Sequence, residues 1–168
     1  RNSGIYALNR GTDLTINAAT TTGGVFGIFA YNDGTGALSI TTTGTTKGTS
    51  SYGIWADNST AGTYLTINAE ATTGTQGIKA LNNGTGALEI TTTGTTTGTS
   101  SNGISAINST AGTSLTINAA TTTGGVFGIY ADNEGTGALS ITTSGTTTGT
   151  TYAGIYANNS AAGTSLDR

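Results

Sequence analysis

One six-residue phrase, Gly-Ile-x-Ala-x-Asn, constrains this chain of 168 residues more than any other feature. It opens at Gly4, Gly27, Gly53, Gly77, Gly103, Gly128 and Gly154, a nearly even recurrence along the whole sequence. Ile holds the second place in every copy and Ala the fourth. Asn closes each one: Asn9, Asn32, Asn58, Asn82, Asn108, Asn133 and Asn159. A second landmark, Leu-x-Ile, follows each copy at a nearly constant interval, from Leu14/Ile16 to Leu139/Ile141, and is broken only at Leu166. A regular period of this length marks units that cannot bury their own apolar side chains and must stack to do so.

Both landmarks alternate with period two, the spacing of a half-buried strand. Ile, Ala and Asn share one face of the first strand. Leu and Ile share one face of the second, with Thr, Ser or Glu opposite. The TTGTTTGTS-like segment supplies a third strand, and Asn-Gly and Asp-Gly pairs such as Asn83-Gly84 and Asp33-Gly34 mark turns. The chain is therefore expected to be all-β: a right-handed parallel β-helix (β-solenoid) of about seven rungs. At one strand spacing per rung its length is roughly 30–35 Å. The whole of 1–168 reads as a single repeat domain that starts mid-motif, lacks an initial Met and carries no signal peptide, and is expected to be a segment of a longer solenoid or a processed product. Each motif Gly is expected at a sharp bend, with a positive φ or a close backbone approach. The Asn residues are expected to form a ladder along one corner, a structural role preferred to ligand binding. Replacing one, Asn82→Ala, should cost about 1–3 kcal/mol. Units also alternate in length: the stretch running to the next motif Gly is shorter from Leu14, Leu65 and Leu115 than from Leu38, Leu88 and Leu139. That predicts a bump on every second rung along one edge.

The composition excludes several chemistries. Threonine is the commonest residue and glycine follows with 28, while the chain has no His, Cys, Pro or Met. There is no imidazole base, no thiol, no disulfide and no zinc or haem ligand set. No metal and no cofactor is expected. A net charge of −3 leaves no basic face for nucleic acid. No apolar run reaches the roughly 20 residues that span a bilayer, so no membrane insertion by this segment is expected. The carboxylates do not cluster as a polysaccharide hydrolase requires. Asp57 and Asp132 share a column but lie three rungs apart, roughly 14 Å by the strand spacing. Asp57 and Lys79 are placed to pair diagonally on the surface, for about 0–1 kcal/mol. The expectation is a non-enzymatic protein. The sequons at Asn58, Asn83 and Asn108 read as chance matches, two of them falling on ladder residues.

The combined pattern GIYAxN and GTGALxITTTGTTTGTSS resembles the Gly/Thr/Asn-rich repeats of bacterial autotransporter (type V secreted) passengers and similar filamentous adhesins, over nearly the whole chain. The resemblance implies export to the extracellular bacterial cell surface, a β-helical stalk, and a membrane barrel that this chain does not contain. It brings no catalytic motif that can be placed on these residues.

The outward places of the first strand carry Tyr6, Phe29, Trp55, Lys79, Ser105, Tyr130 and Tyr156 in one column, and Leu8, Tyr31, Asp57, Leu81, Ile107, Asp132 and Asn158 in the next. Tyr6, Phe29, Tyr31, Trp55, Tyr130 and Tyr156 are the candidate binding residues. They form an apolar stripe suited to sugars or to another solenoid, with β-propensity alone as the competing explanation. The function expected is a structural stalk or fibre module of a surface-displayed adhesin. Its partners would be further copies end to end, through open strand edges, or side by side, and a glycan or host surface. The alternative functions are ice binding by the Thr columns opposite Leu-x-Ile, glycan binding, and, behind both, a degenerate β-helical polysaccharide enzyme.

Overall fold

The computed structural model describes residues 2–168; Arg1, the first residue of the expected domain, lies outside the described residues. Every element is a strand, and the strands form three parallel sheets wound into a β-solenoid of about seven turns. The first sheet stacks Ile5–Asn9, Ile28–Asn32, Tyr52–Asn58, Gln76–Asn82, Ile104–Asn108, Ile129–Asn133 and Ile155–Asn159. The second stacks Leu14–Ala18, Leu38–Thr42, Leu65–Ala69, Leu88–Thr92, Leu115–Ala119, Leu139–Thr143 and Leu166–Asp167. The third is built from the short strands Thr21–Gly23, Thr46–Gly48, Thr72–Gly74, Thr96–Gly98, Thr122–Gly124 and Thr147–Gly149.

Register follows the motif without a slip. Ile pairs with Ile, Ala with Ala and Asn with Asn through the first sheet. Leu and Ile do the same through the second. A one-residue shift would turn every Ile outward, so burial fixes the register. Ile28, Ile54, Ile78 and Ile104 are fully buried, as are Leu38, Leu65, Leu88 and Leu115, and together with the Ala column they fill one continuous core.

The ladder is formed along its whole length. The Nδ2 group of each Asn donates to Oδ1 of the Asn one rung on: Asn9 to Asn32 at 2.6 Å, Asn32 to Asn58, Asn58 to Asn82, Asn82 to Asn108 and Asn108 to Asn133 at 2.9 Å, and Asn133 to Asn159 at 2.8 Å. The other N–H of the same nitrogen closes the corner that follows. It donates to the carbonyl four places on in Asn32, Asn82 and Asn133, and six places on in Asn58, Asn108 and Asn159. All these side-chain dipoles point the same way along the axis, so each bond polarises the next.

Of the two reasons expected for the motif Gly, a positive φ or a close backbone approach, the second holds. No glycine among the described residues has a positive φ. What makes glycine necessary in the motif is close approach. A Cβ at Gly77 would lie 2.5 Å from the carbonyl oxygen of Gly103 and 2.7 Å from Cγ2 of Thr96. The first residue of each third-sheet strand points inward and lays its methyl in the space that glycine leaves. The hydroxyls of Thr46, Thr72, Thr96, Thr122 and Thr147 are thereby buried without a hydrogen-bond partner. One expectation is corrected, that of a bump along a single edge. Residues 43–45, 93–95 and 144–146 do make the corner after the second strand longer in every second rung than residues 19–20, 70–71 and 120–121. From the second rung on, the Asn corner alternates in the opposite phase, the first one, 10–13, being the shortest. It is long at 59–64, 109–114 and 160–165, and short at 33–37, 83–87 and 134–138. Each long Asn corner is closed by a tight turn, from Gly62 N to Ser59 O, Gly112 N to Ser109 O and Gly163 N to Ser160 O. The corner before the motif Gly is likewise longer at 49–52, 99–102 and 150–153 than at 24–26, 75–76 and 125–127, so length is distributed over three corners, not piled on one edge.

Candidate functional site

The solenoid places the outward aromatic side chains of the first sheet one strand spacing apart, which suits ring stacking. Tyr6 and Phe29 stack with centroids 4.7 Å apart and planes 8° apart, and Phe29 stacks on Trp55 at 4.3 Å. Tyr130 and Tyr156 stack at 4.9 Å with planes 6° apart. Of the residues expected on the stripe, these five fall into two groups. Tyr31 stands apart in the neighbouring column, between Leu8 and Asp57. The stripe is not continuous: Lys79 and Ser105 interrupt it, Ser105 being buried.

Four aromatic residues outside the strand pattern complete the groups. Phe26 meets Phe29 edge-on at 5.2 Å and stacks on Tyr52 at 5.7 Å. Phe127 stacks on Tyr152 at 5.4 Å and lies tilted against Tyr130 and Tyr156. They sit around the corner before the motif Gly, and the signal for the two Phe in the sequence is the repeated Gly-Gly-Val-Phe-Gly. Lys79 closes the first group, with Nζ 5.9 Å from the centre of the Tyr52 ring. A hollow of about 300 Å³ opens beside that group, lined by Asn2, Ser3, Tyr6, Val25, Phe26 and Phe29. Phe26 and Phe127 are four rungs apart, so the two groups repeat along the rod at about 19 Å.

Stacking decides what this edge offers. Within each group the faces between stacked neighbours are occupied by other rings, and solvent meets the rims and the rings that end a stack. Tyr6, Tyr152 and Tyr156 are the most open, at 38, 73 and 42% exposure. The edge can take part in apolar association along the rod, and a sugar ring would find a face only on a ring that ends a stack.

The carboxylates are held by their neighbours. Asn83 Nδ2 donates to Asp57 Oδ1, and Asn158 Nδ2 to Asp132 Oδ1, both at 2.9 Å and one rung apart. Burial pushes the Asp57 carboxyl above its ordinary range, against the smaller opposing effects of the Asn83 hydrogen bond and the Lys79 charge. Burial, with Asp132 beside it, likewise raises the Tyr130 phenol. No group of three or more His, Cys, Asp or Glu is placed to hold a metal ion among the described residues. On the second sheet the outward columns run Thr15, Ser39, Thr66, Glu89, Thr116, Ser140 and Asn17, Thr41, Asn68, Thr91, Asn118, Thr142. Asn on alternate rungs and Glu89 in the centre break the uniform hydroxyl lattice that ice would require. No family model, no curated protein and no solved structure matches the chain.

Proposed function

We propose that this chain is a structural stalk or fibre module, non-enzymatic, of a secreted bacterial adhesin displayed on the cell surface. The observation that carries this reading is the unbroken register of all its rungs around one dry apolar core with a continuous Asn ladder. Such a stack is stiff along its axis and its length is a simple multiple of the rung, which is what a spacer needs. The resemblance of its repeats to autotransporter passengers supports export and display outside the cell. The terminal strands of each sheet offer edges on which further rungs, of this chain or another copy, add by the same hydrogen bonds.

The test is a cell-surface fusion carrying an epitope beyond the solenoid, with the whole chain, as one block, present once, twice or three times. A spacer exposes the epitope to antibody in proportion to the number of blocks. Epitope access that ignores the number of blocks refutes the reading, as does hydrolysis of a polysaccharide by the purified chain.

A second reading, association through the aromatic edge, is favoured by the exposure of Tyr6, Tyr152 and Tyr156. Sedimentation over a range of concentrations, with Trp55→Ser and Tyr156→Ser compared with the parent, separates the two. Lateral association lost in the variants supports the edge as an interface.

A further inference from the structure

Rings of the aromatic edge stack on one another, whereas Tyr64, at another corner of the coil, lies in a column with no second ring. The residue before Leu in the second landmark is Asp13, Ala37, Tyr64, Ala87, Ser114, Ala138 and Ser165 along the rod. Tyr64 therefore stands between two alanines, at 51% exposure, with no ring above or below it. The outward column two residues on is Thr or Ser through Ser140, save at Glu89. Glu89 pairs in register with Thr66, and Leu65 N donates to Ala87 O at 3.1 Å, which sets Tyr64 beside Ala87. The two departures from the repeat thus meet on adjacent rungs, and with Thr66, Gly86 and Ala87 they line one depression of about 330 Å³.

We propose that Tyr64, Thr66 and Glu89 form a binding site for one pyranose unit of a neutral glycan. The open face of the Tyr64 ring takes the apolar C–H face of the sugar. The exposed Glu89 carboxylate accepts hydrogen bonds from adjacent sugar hydroxyls, and the Thr66 hydroxyl donates or accepts at the rim. Small residues at 86 and 87 leave the floor low enough for a flat ring. A lone tyrosine does not enclose a compact ammonium ion; a guanidinium, which stacks flat on a ring and pairs with a carboxylate, is the competing ligand, and the test below includes it. The Glu89 charge selects against uronic acids. One unit on so shallow a site binds weakly, with Kd on the order of 1 mM. Display of the same site on successive copies of the block would raise the avidity for a polymer. The site does not depend on the spacer reading or on the aromatic edge.

The repeat supplies its own fold-preserving controls, because Ser occupies the Tyr64 place at Ser114 and Thr occupies the Glu89 place at Thr116. Saturation-transfer NMR on the whole chain uses methyl β-glucopyranoside, methyl β-galactopyranoside and methyl β-glucuronide as probes, with arginine methylamide as the cationic comparison. The neutral glycosides are expected to receive saturation through their C–H face. Tyr64→Ser and Glu89→Thr should each weaken this by about tenfold or more, while Trp55→Ser leaves it unchanged. The glucuronide should bind better to Glu89→Thr than to the parent. The proposal is overturned if neither neutral glycoside shows transfer, if transfer survives Tyr64→Ser, if Trp55→Ser alone removes it, or if only arginine methylamide perturbs Tyr64.

Discussion

Removing the side chain of Asn82 should cost more than a single hydrogen bond. Three bonds meet there: Asn58 Nδ2 donates to its Oδ1 at 2.9 Å, and its own Nδ2 donates to Asn108 Oδ1 at 2.9 Å and to Gly86 O at 3.0 Å. Asn82→Ala leaves one N–H and two carbonyl oxygens without those partners at a corner where Asn58, Asn82 and Asn108 are buried. Gly86 O keeps the bond it accepts from Thr113 N at 3.1 Å, so the Asn58 N–H and Asn108 Oδ1 are the groups orphaned, and at about 1–3 kcal/mol for each the loss is roughly 2–6 kcal/mol. A second variant separates hydrogen bonding from packing. In Asn82→Asp the ionised carboxylate can accept from Asn58 but meets Asn108 oxygen to oxygen. Its protonated form can donate to Asn108 and restore one rung of the ladder. Burial raises the carboxyl pKa of the folded form above that of the unfolded chain. Folded molecules then hold more protons, so stability declines as pH rises from the unfolded value of about 3.9 toward the raised folded one. Urea titrations followed by circular dichroism and by the emission of Trp55, which pairs in register with Lys79 on the strand that ends at Asn82, would measure both effects. An Ala variant within about 0.5 kcal/mol of the parent would refute the ladder as a source of stability, since ordinary surface substitutions do no more. So would an Asp variant whose stability ignores pH.

Three further outcomes follow from the same rungs. Thr96→Val removes a hydroxyl that is buried without a partner and keeps the methyl beside Gly77. It should stabilise the chain by about 1 kcal/mol, and a lower urea midpoint would show that the hydroxyl is satisfied. Gly77→Ala places a methyl against Gly103 O and Thr96 Cγ2. It should destabilise by about 1–3 kcal/mol in thermal melts, and an unchanged melt would show that the rungs can separate to admit it. Because burial raises the Asp57 carboxyl, its ionisation opposes folding as pH climbs from the unfolded pKa through the raised folded one. Asp57→Leu, the residue that its register partner Leu81 already carries, should flatten that part of the pH–stability curve, and a curve unchanged by the substitution would refute the assignment.

The rungs were legible because burial dictates period two in each strand and stacking dictates one residue per column. Ile28 over Ile54 and Asn58 over Asn82 needed no more than the spacing of the motif. The third strand was also readable, though not what its Thr residues do: the inward side of Thr72 or Thr96 is decided by the missing Cβ of a glycine in another sheet. The aromatic edge was half visible. Tyr6, Phe29 and Trp55 lie in a strand, where alternation reveals direction. Phe26, Tyr52, Phe127 and Tyr152 gather around the corner before the motif Gly, where chain direction depends on how many residues the turn holds. Tyr64 was hidden for the same reason, since it closes the long Asn corner and belongs to no repeated column of rings. The gap at Lys79 and Ser105 was written in the sequence, and what it means became plain only once the rings were seen to stack in two separate groups.

The opposite phase of the two corners has a consequence for how such a chain can grow or shrink. From the second rung on, a rung with a long Asn corner rests on one with a short Asn corner, and the reverse holds on the other side of the coil. Excising a single rung would bring two like outlines into contact, crowding one side of the coil and opening the other. Excising two restores the sequence of unlike neighbours. Duplication and deletion in the gene are therefore tolerated in even steps, and the reach of the rod comes in increments of about 10 Å.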